Sequence, residues 1–352
     1  MKLGLIGLLQ SGKSTLLSAL SGKAVPPIGS VSIEQAIVSV PDERIDWLVK
    51  LYNPKKKAYA TIECLDIPGF SFAEESSRAA ARKLINQIRT VDMLVLVIRA
   101  FESSTVPAYN GKVDPQRDLL ELKTEILLSD LELVANRVEK LEKEIKKPSK
   151  RQGQDKAELD LMLKFQAALE EEKPMSTVVQ SEEELELIRS FGFLTLKPMM
   201  AVINIGENQI GQEIKLNTDM QTISLSAEIE CELSQLDADS RVEFMKDLGI
   251  TESAALKFVE SCYSTLGLIS FLTSGPDECR AWTIKKGTTA VDAAGKIHSD
   301  IKRGFIRAET ISYADIKALG DEKAVKAAGK ARLEGKNYIV QDGDIINFRF
   351  NV

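Results

Sequence analysis

Histidine is almost missing from this 352-residue chain: His298 is the only one. That excludes a histidine-rich metal cluster or a Ser-His-Asp triad near the amino terminus, where the other chemical signals lie. Cysteine is scarce as well. Cys64, Cys231, Cys262 and Cys279 form no close pair with redox or metal-ligand spacing, so reduced structural thiols are expected. No apolar run approaches the roughly 18 residues that span a bilayer. Met1 leads straight into a strand-like run without a cleavable-signal pattern. The expectation is a soluble cytoplasmic protein with no membrane contact. The C-terminal part lacks an aromatic stacking array or a recognised RNA motif, so composition alone gives no RNA-binding assignment.

What remains is enough apolar residue, 44%, for more than one core, and the length suggests two or three domains. Charge is uneven. From Arg280 to Val352 there are 14 Lys and Arg against 9 Asp and Glu, a net +5, which leaves −11 of the overall −6 for everything before. An acidic body with a mildly basic contact module fits this, and so does a chance distribution of surface charge.

The strongest motif is Gly7-Leu-Leu-Gln10-Ser11-Gly12-Lys13-Ser14-Thr15, set between the apolar run Leu3 to Ile6 and a helix-periodic stretch from Leu16. Strand, glycine loop and helix in that order make a phosphate cradle. The loop amides and the helix N-terminus face the phosphates, Lys13 reaches the outer ones, and the Ser14 hydroxyl is placed for magnesium. Gly7, Gln10, Ser11, Gly12, Lys13, Ser14 and Thr15 are the expected nucleotide contacts. A second acidic element, Asp66-Ile-Pro-Gly69-Phe70, closes an apolar strand. Asp66 is the expected magnesium partner, and the Gly69 amide the expected sensor of the γ-phosphate. Within Ile28-Gly-Ser30-Val-Ser32-Ile-Glu34, a candidate first switch, Ser32 is preferred over Ser30 as the third magnesium group. Asn204-Ile-Gly-Glu207 follows another apolar strand, where switch-type NTPases read the base. There Asn204 stabilises the loop and Glu207 meets the base, while Ser226-Ala227 offers a backbone amide to it. Phe70 stands where related enzymes carry the glutamine that orients attacking water, which an aromatic ring cannot do, so hydrolysis should be slow.

The alternation of strand-like and helix-like pieces predicts an α/β P-loop NTPase sheet covered by helices, over residues 1–113 and again over 193–276. Between them Leu127, Leu131, Val134, Val138, Leu141 and Ile145 recur at coiled-coil intervals. Pro148 and Gly153 then break the pattern before it resumes at Asp155. An inserted antiparallel helical hairpin over 114–192 follows from this. Helices are expected to run to about Thr273, with a linker at Ser274-Gly-Pro276. Residues 277–352 read as a small α+β module, closed by a hairpin of Asn337–Val340, an Asp342-Gly-Asp344 turn and Ile345–Phe350.

Taken together, these pieces resemble the YchF branch of the Obg-like ATPases over nearly the whole chain. Val40-Pro-Asp-Glu-Arg-Ile-Asp-Trp-Leu48, Gly111-Lys-Val-Asp-Pro115-Gln-Arg-Asp118, Leu194-Thr-Leu-Lys-Pro198 and Asn204-x-x-Glu207 match signatures of that family. So do Ala281-Trp-Thr-Ile284, Ala293-Ala-Gly-Lys-Ile-His298-Ser-Asp300, Gly304-Phe-Ile-Arg-Ala-Glu309, Gly335-Lys-Asn-Tyr338 and Gln341-Asp-Gly-Asp344, which resemble its ubiquitin-like TGS domain. The resemblance implies ATP or GTP as substrate with Mg2+ as cofactor, ATP being bound as well as GTP or better. It also implies association with ribosomes or RNA. Lys13 and Gly69 are then the catalytic candidates, and Ser14, Ser32 and Asp66 the metal candidates. Three positions depart from the family pattern. Leu9-Gln10 replaces Pro-Asn in the phosphate loop, the stretch after Phe70 is not glycine-rich, and Ala108 stands where bacterial members carry a loop histidine. Two function classes stay open at this level, a slow NTPase switch and a non-hydrolysing nucleotide-binding adaptor.

Overall fold

The computed structural model describes residues 1–24, 32–72, 75–146 and 151–351. Ser30 and much of the candidate first switch lie outside them, as do Pro148 to Lys150 of the expected helix break. The chain forms two compact units, Met1–Ala36 with Glu63–Ala255, and Ile37–Ile62 with Leu256–Val352.

Strands and helices alternate from the start: β1 (Lys2–Ile6), α1 (Lys13–Ser21), β2 (Glu34–Val40), α2 (Glu43–Tyr52), β3 (Lys56–Ala58), β4 (Ala60–Asp66), α3 (Glu75–Gln87) and β5 (Met93–Arg99). The long helices α4 (Pro115–Glu144) and α5 (Gln152–Glu170) follow, then α6 (Glu182–Ile188). After them come β6 (Met199–Asn204), β7 (Gln221–Leu225), α7 (Ala227–Gln235), α8 (Ala238–Asp247) and α9 (Ala254–Thr265). The first sheet has the strand order β2-β4-β1-β5-β6-β7. Its ladders from β4 through β1, β5 and β6 to β7 are parallel. β5 is buried at every position, as a strand covered on both faces must be. Register brings Leu5 beside Asp66 and Arg99 beside Asn204. The phosphate loop, Asp66 and Asn204 therefore meet at the carboxyl ends of neighbouring strands, where open parallel sheets bind ligands.

α4 starts with Pro115 behind Asp114, whose carboxylate accepts from the Arg117 amide, a favourable helix start. Its 30 residues extend about 45 Å. Val134, Val138 and Leu141 pack with Leu161, Met162, Phe165 and Leu169 of α5, and Arg137 pairs with Glu158 across the seam at 2.6 Å. At the root of this hairpin Asp130 is fully buried. It accepts from Arg89 at 2.5 Å and from the Thr195 amide and hydroxyl, both at 2.8 Å. One carboxylate thus ties α4 to the chain on both sides of the insertion. A lone buried charge there would be costly, and the three donors remove that penalty.

The second unit continues with β8 (Leu268–Thr273), β9 (Glu278–Lys285), α10 (Ala290–Ile297), α11 (Ser299–Arg303), β10 (Phe305–Ser312), α12 (Tyr313–Leu319), α13 (Glu322–Ala327), β11 (Arg332–Glu334) and β12 (Asp344–Phe350). Its sheet has the order β11-β10-β12-β8-β9-β3. Two expectations are corrected here. The helices end at Thr265, and β8 pairs antiparallel with β9 from Leu268↔Lys285 to Thr273↔Arg280. The C-terminal sheet therefore begins at 268 rather than 277, because Ile269, Phe271 and Trp282 belong to one apolar core. The closing hairpin is also absent. Asn337–Val340 supplies only an isolated bridge, Thr289↔Ile339, and β12 pairs with β10, turning at Gly343 with φ 80°.

Candidate functional site: the phosphate loop and its braces

Gly12 precedes α1 with φ 89° and no side-chain cap on the helix. The first-turn amides of α1 have no intrahelical acceptor, so with no cap they stand ready for an anion. Glycine is needed there twice over. Its φ disfavours any L side chain, and a Cβ would lie 2.0 Å from Asn204 Nδ2. Gln10, exposed, takes φ 59°, and Ser11 is buried. A Cβ on Gly7 would sit 2.5 Å from the Val97 carbonyl, so the loop lies flat against β5.

Lys13 is buried, with Nζ 3.2 Å from the carbonyls of both Gly7 and Leu8 and 3.5 Å from Ser11 Oγ. Burial pulls its pKa down to about 8, against the opposing pull of Asp66. A polyphosphate placed there would add counter-charge to that of Asp66. Ser14 Oγ donates to Asp66 Oδ2 at 2.5 Å. Desolvation raises the Asp66 pKa, opposed by the Ser14 hydrogen bond and the Lys13 charge, with nearby Glu34 adding to the rise. Asp66 Oδ1 is buried without a hydrogen-bond partner. A hydroxyl oxygen and a carboxylate, one of whose oxygens is orphaned, fit a hard dication such as Mg2+. Ser14 and Asp66 are the residues that would hold it. Ser32 is exposed, and its hydroxyl donates to Glu34 at 2.9 Å.

Gly69 packs so tightly that a Cβ would meet Leu9 Cα at 2.9 Å. Next to it, Phe70 N donates to Gly7 O at 3.0 Å and Leu9 N to Phe70 O at 2.9 Å, which zips this segment to the phosphate loop. The Phe70 ring points into the core and lies 5.9 Å from that of Phe72. Asn204, buried, bridges two loops, since Nδ2 donates to Ser11 O and Oδ1 accepts from the Ala227 amide, both at 3.0 Å. The Ala227 amide is thereby used by Asn204. Ser226 caps α7, accepting from Ile229 N. Glu207 is exposed on a short 3-10 turn, Glu207–Gln209. Thr15 lies within α1, half-buried.

Two contributors escaped the sequence reading. Arg99, buried at the end of β5, donates to the carbonyls of Phe101 (3.1 Å), Val106 (2.8 Å) and Pro107 (3.0 Å), and it lies over the Phe101 ring at 4.4 Å. A charge closing an otherwise apolar strand was the available signal. Glu34 was quoted within the candidate first switch but given no role, although its charge reaches Asp66. His298, by contrast, is an exposed helix cap, its Nδ1 accepting from the Asp300 amide at 3.2 Å.

Comparison with known proteins agrees with this geometry. Residues 2–137 match a family described as "50S ribosome-binding GTPase", and residues 268–351 match YchF-GTPase_C, described as "Protein of unknown function (DUF933)". The chain is 37% identical over 365 residues to the Bacillus subtilis "Ribosome-binding ATPase YchF", covering 99% of each. It is 36% identical over 367 residues to "Obg-like ATPase 1" of Oryza sativa subsp. japonica, covering 100% of this chain and 92% of that protein. The chain belongs to the YchF/Obg-like ATPase family. The Schizosaccharomyces pombe YchF GTPase structure superposes with a TM-score of 0.83 at 30% identity, covering 99% of this chain and 97% of that one. The fold is accordingly that of a P-loop NTPase, and the family is one of nucleotide phosphohydrolases.

Proposed function

We propose that this YchF-family protein is a slow, magnesium-dependent nucleotide switch that hydrolyses ATP, GTP or both and couples nucleotide state to association with the ribosome or its RNA. The observation that carries this is the buried Lys13, beneath uncapped helix amides and beside a hydroxyl–carboxylate pair with an orphaned oxygen. The α1 amides and Lys13 bind the outer phosphates, while Ser14 and Asp66 hold the cation, joined by Ser32 in the bound state. Held by Ser14 and Asp66, magnesium would supply charge neutralisation for phosphoryl transfer. The Gly69 amide faces the γ-phosphate. Asn204 keeps the loop in place, Glu207 meets the base, and the Ser226–Ala227 turn lines the same end. Compared with the aspartate of GTPases, Glu207 carries its carboxylate one methylene further out, which lowers guanine discrimination and admits adenine.

Hydrolysis is slow because Phe70 is buried and offers no group to orient water. Attack is helped by the Lys13 charge and loop amides acting on the developing charge. The ribosome enters through relatives named for it, and the +5 of residues 280–352 supports no more than a salt-sensitive contact with phosphates. The helical insertion and the C-terminal TGS unit are the parts that meet this cytoplasmic partner. Phosphate release followed over hours with ATP and with GTP, each with and without ribosomes, tests the reading. Slow turnover that changes with ribosomes supports it, whereas no turnover in any condition would make the protein a non-hydrolysing adaptor.

A further inference from the structure

The stretch from Asp66 to Phe72, the candidate second switch (switch II), is fastened at a second point beyond the phosphate loop. The Phe72 amide donates to the Tyr109 hydroxyl at 3.3 Å, and that hydroxyl donates to Glu121 Oε1 on α4 at 2.8 Å. A phenol has a single proton. With the amide as donor to its oxygen and the carboxylate as acceptor of its proton, amide, hydroxyl and carboxylate form one directed chain. Its second link is charge-assisted, hence the stronger. Burial and the Glu121 carboxylate both raise the Tyr109 pKa, so the hydroxyl stays protonated and donating at neutral pH.

Neighbouring contacts reinforce the clasp. Arg117, one turn before Glu121, lies 5.6 Å from the Tyr109 ring centroid and donates to the Tyr109 carbonyl at 3.1 Å. One turn after it, Glu125 pairs with Arg78 of α3 at 3.5 Å, leaving Glu125 Oε2 and Arg78 Nε buried without hydrogen-bond partners. Positions 117, 121 and 125 share one face of α4 by their i, i+4 spacing. That face reaches Phe72 through Tyr109, while Leu119, Leu122 and Ile126 of the same helix share an apolar core with Phe70 and Phe72. The same helix runs on without a break into the seam with α5.

We infer that Tyr109 and Glu121 are a positioning pair for nucleotide hydrolysis, holding the switch II backbone at Phe72 to α4 so that placement of the Gly69 amide is coupled to the inserted hairpin. The inference rests on the reading of Gly69 as the amide that faces the outer phosphate. A partner that shifts α4 pulls on Phe72, and nucleotide that shifts Gly69 pulls on α4.

The test uses the full-length protein and the variants Tyr109→Phe, Glu121→Ala, Glu121→Gln and Tyr109→Phe/Glu121→Ala. Tyr109→Phe keeps the ring and removes only the hydroxyl. It is expected to speed hydrogen exchange at the Phe72 amide and to lower the single-turnover rate about three- to tenfold, the worth of one hydrogen bond. The Kd for nucleoside diphosphate should stay within about twofold, because the contacts of Lys13 and the α1 amides are untouched and no γ-phosphate is present to meet Gly69. Glu121→Ala should match it, the double variant should be no worse than either single, and Glu121→Gln, whose amide oxygen accepts the same proton, should recover most of the loss. Unchanged exchange at Phe72 in Tyr109→Phe overturns the proposal. So do rate losses that multiply in the double variant, or a loss in diphosphate Kd equal to the rate loss. Absence of turnover in the wild type would sink the switch reading, yet the clasp would still be read by exchange. An ATP-induced change at Phe72 that vanishes in Tyr109→Phe supports the coupling, and a response identical in both proteins overturns it.

Discussion

Replacing Gly12 with alanine attacks the phosphate loop through Asn204 as well as through its own backbone. The backbone part follows from φ 89°, in the left-handed region, where an L residue costs roughly 1–2 kcal/mol. The second part is steric. The new Cβ would stand 2.0 Å from Asn204 Nδ2, so Asn204 must leave the Ser11 carbonyl and the Ala227 amide, which it now bonds at 3.0 Å each. Leaving two buried backbone groups unpaired costs about 1–3 kcal/mol each. Gly12→Ala should therefore cost about 3–8 kcal/mol, a large part of the 5–15 kcal/mol that holds a typical domain together. Asn204→Ala alone should cost about 2–6 kcal/mol through the same two groups. In the Asn204→Ala background the clash has no target, so adding Gly12→Ala should cost only the backbone part, about 1–2 kcal/mol. The two changes are thus expected to be non-additive by roughly 2–6 kcal/mol, the cost of the two groups both changes leave unpaired. Tryptophan fluorescence would miss this, since Trp47 and Trp282 both lie in the other unit. Hydrogen exchange of the β6 and α7 amides reads the correct unit. Costs that add within about 0.5 kcal/mol would refute the claim that Gly12 is required by the Asn204 bridge.

Three further outcomes are expected. Lys13→Ala should abolish nucleotide binding in a calorimetric titration, and unchanged affinity would remove Lys13 from the site. Glu207→Asp should shift preference toward GTP in paired titrations, and no shift would mean that Glu207 does not touch the base. In the second unit, burial and the Asp344 hydrogen bond raise the Tyr338 pKa to about 12. Between the ordinary tyrosine value of about 10 and this value the folded state keeps a proton that the unfolded state has lost, so stability should fall as pH rises through that window. Chemical denaturation of wild type and Tyr338→Phe at pH 9 and about 11.5 checks this, and an equal drop in both would contradict it.

That the phosphate loop, Asp66 and Asn204 come together was legible in the sequence because each follows an apolar strand of one parallel sheet. The hairpin was legible too, because Val134, Val138 and Leu141 carry a periodicity that only a helix seam uses. Other features depend on three-dimensional partners. The use of the Ala227 amide by Asn204 depends on a contact across 23 positions. The Tyr109–Glu121 pair spans 12 positions of loop and helix with no motif to mark it. β8 was misread as the end of a helical stretch because Leu268–Thr273, six residues of mixed apolar and hydroxyl side chains, has no period of its own, and β9 decides its state. The missing closing hairpin has a similar cause. An Asp-Gly turn signal was present, but β12 found better packing against β10, where Ala308 and Phe348 are buried together. Glu34 is a different case, a charge read only as part of a loop until its reach to Asp66 was visible.

If the uncapped amides of α1, Lys13 and the Ser14–Asp66 pair grip a magnesium-bound triphosphate, nucleotide affinity must depend on the cation. Titration of the wild-type protein with ATP and with GTP, each in the presence of Mg2+ and of EDTA, tests it most directly. The account predicts saturable heat for at least one nucleotide, weakened when the cation is removed and weakened further by Asp66→Asn. Absence of heat for both nucleotides, or affinity indifferent to the cation and to Asp66, would contradict it.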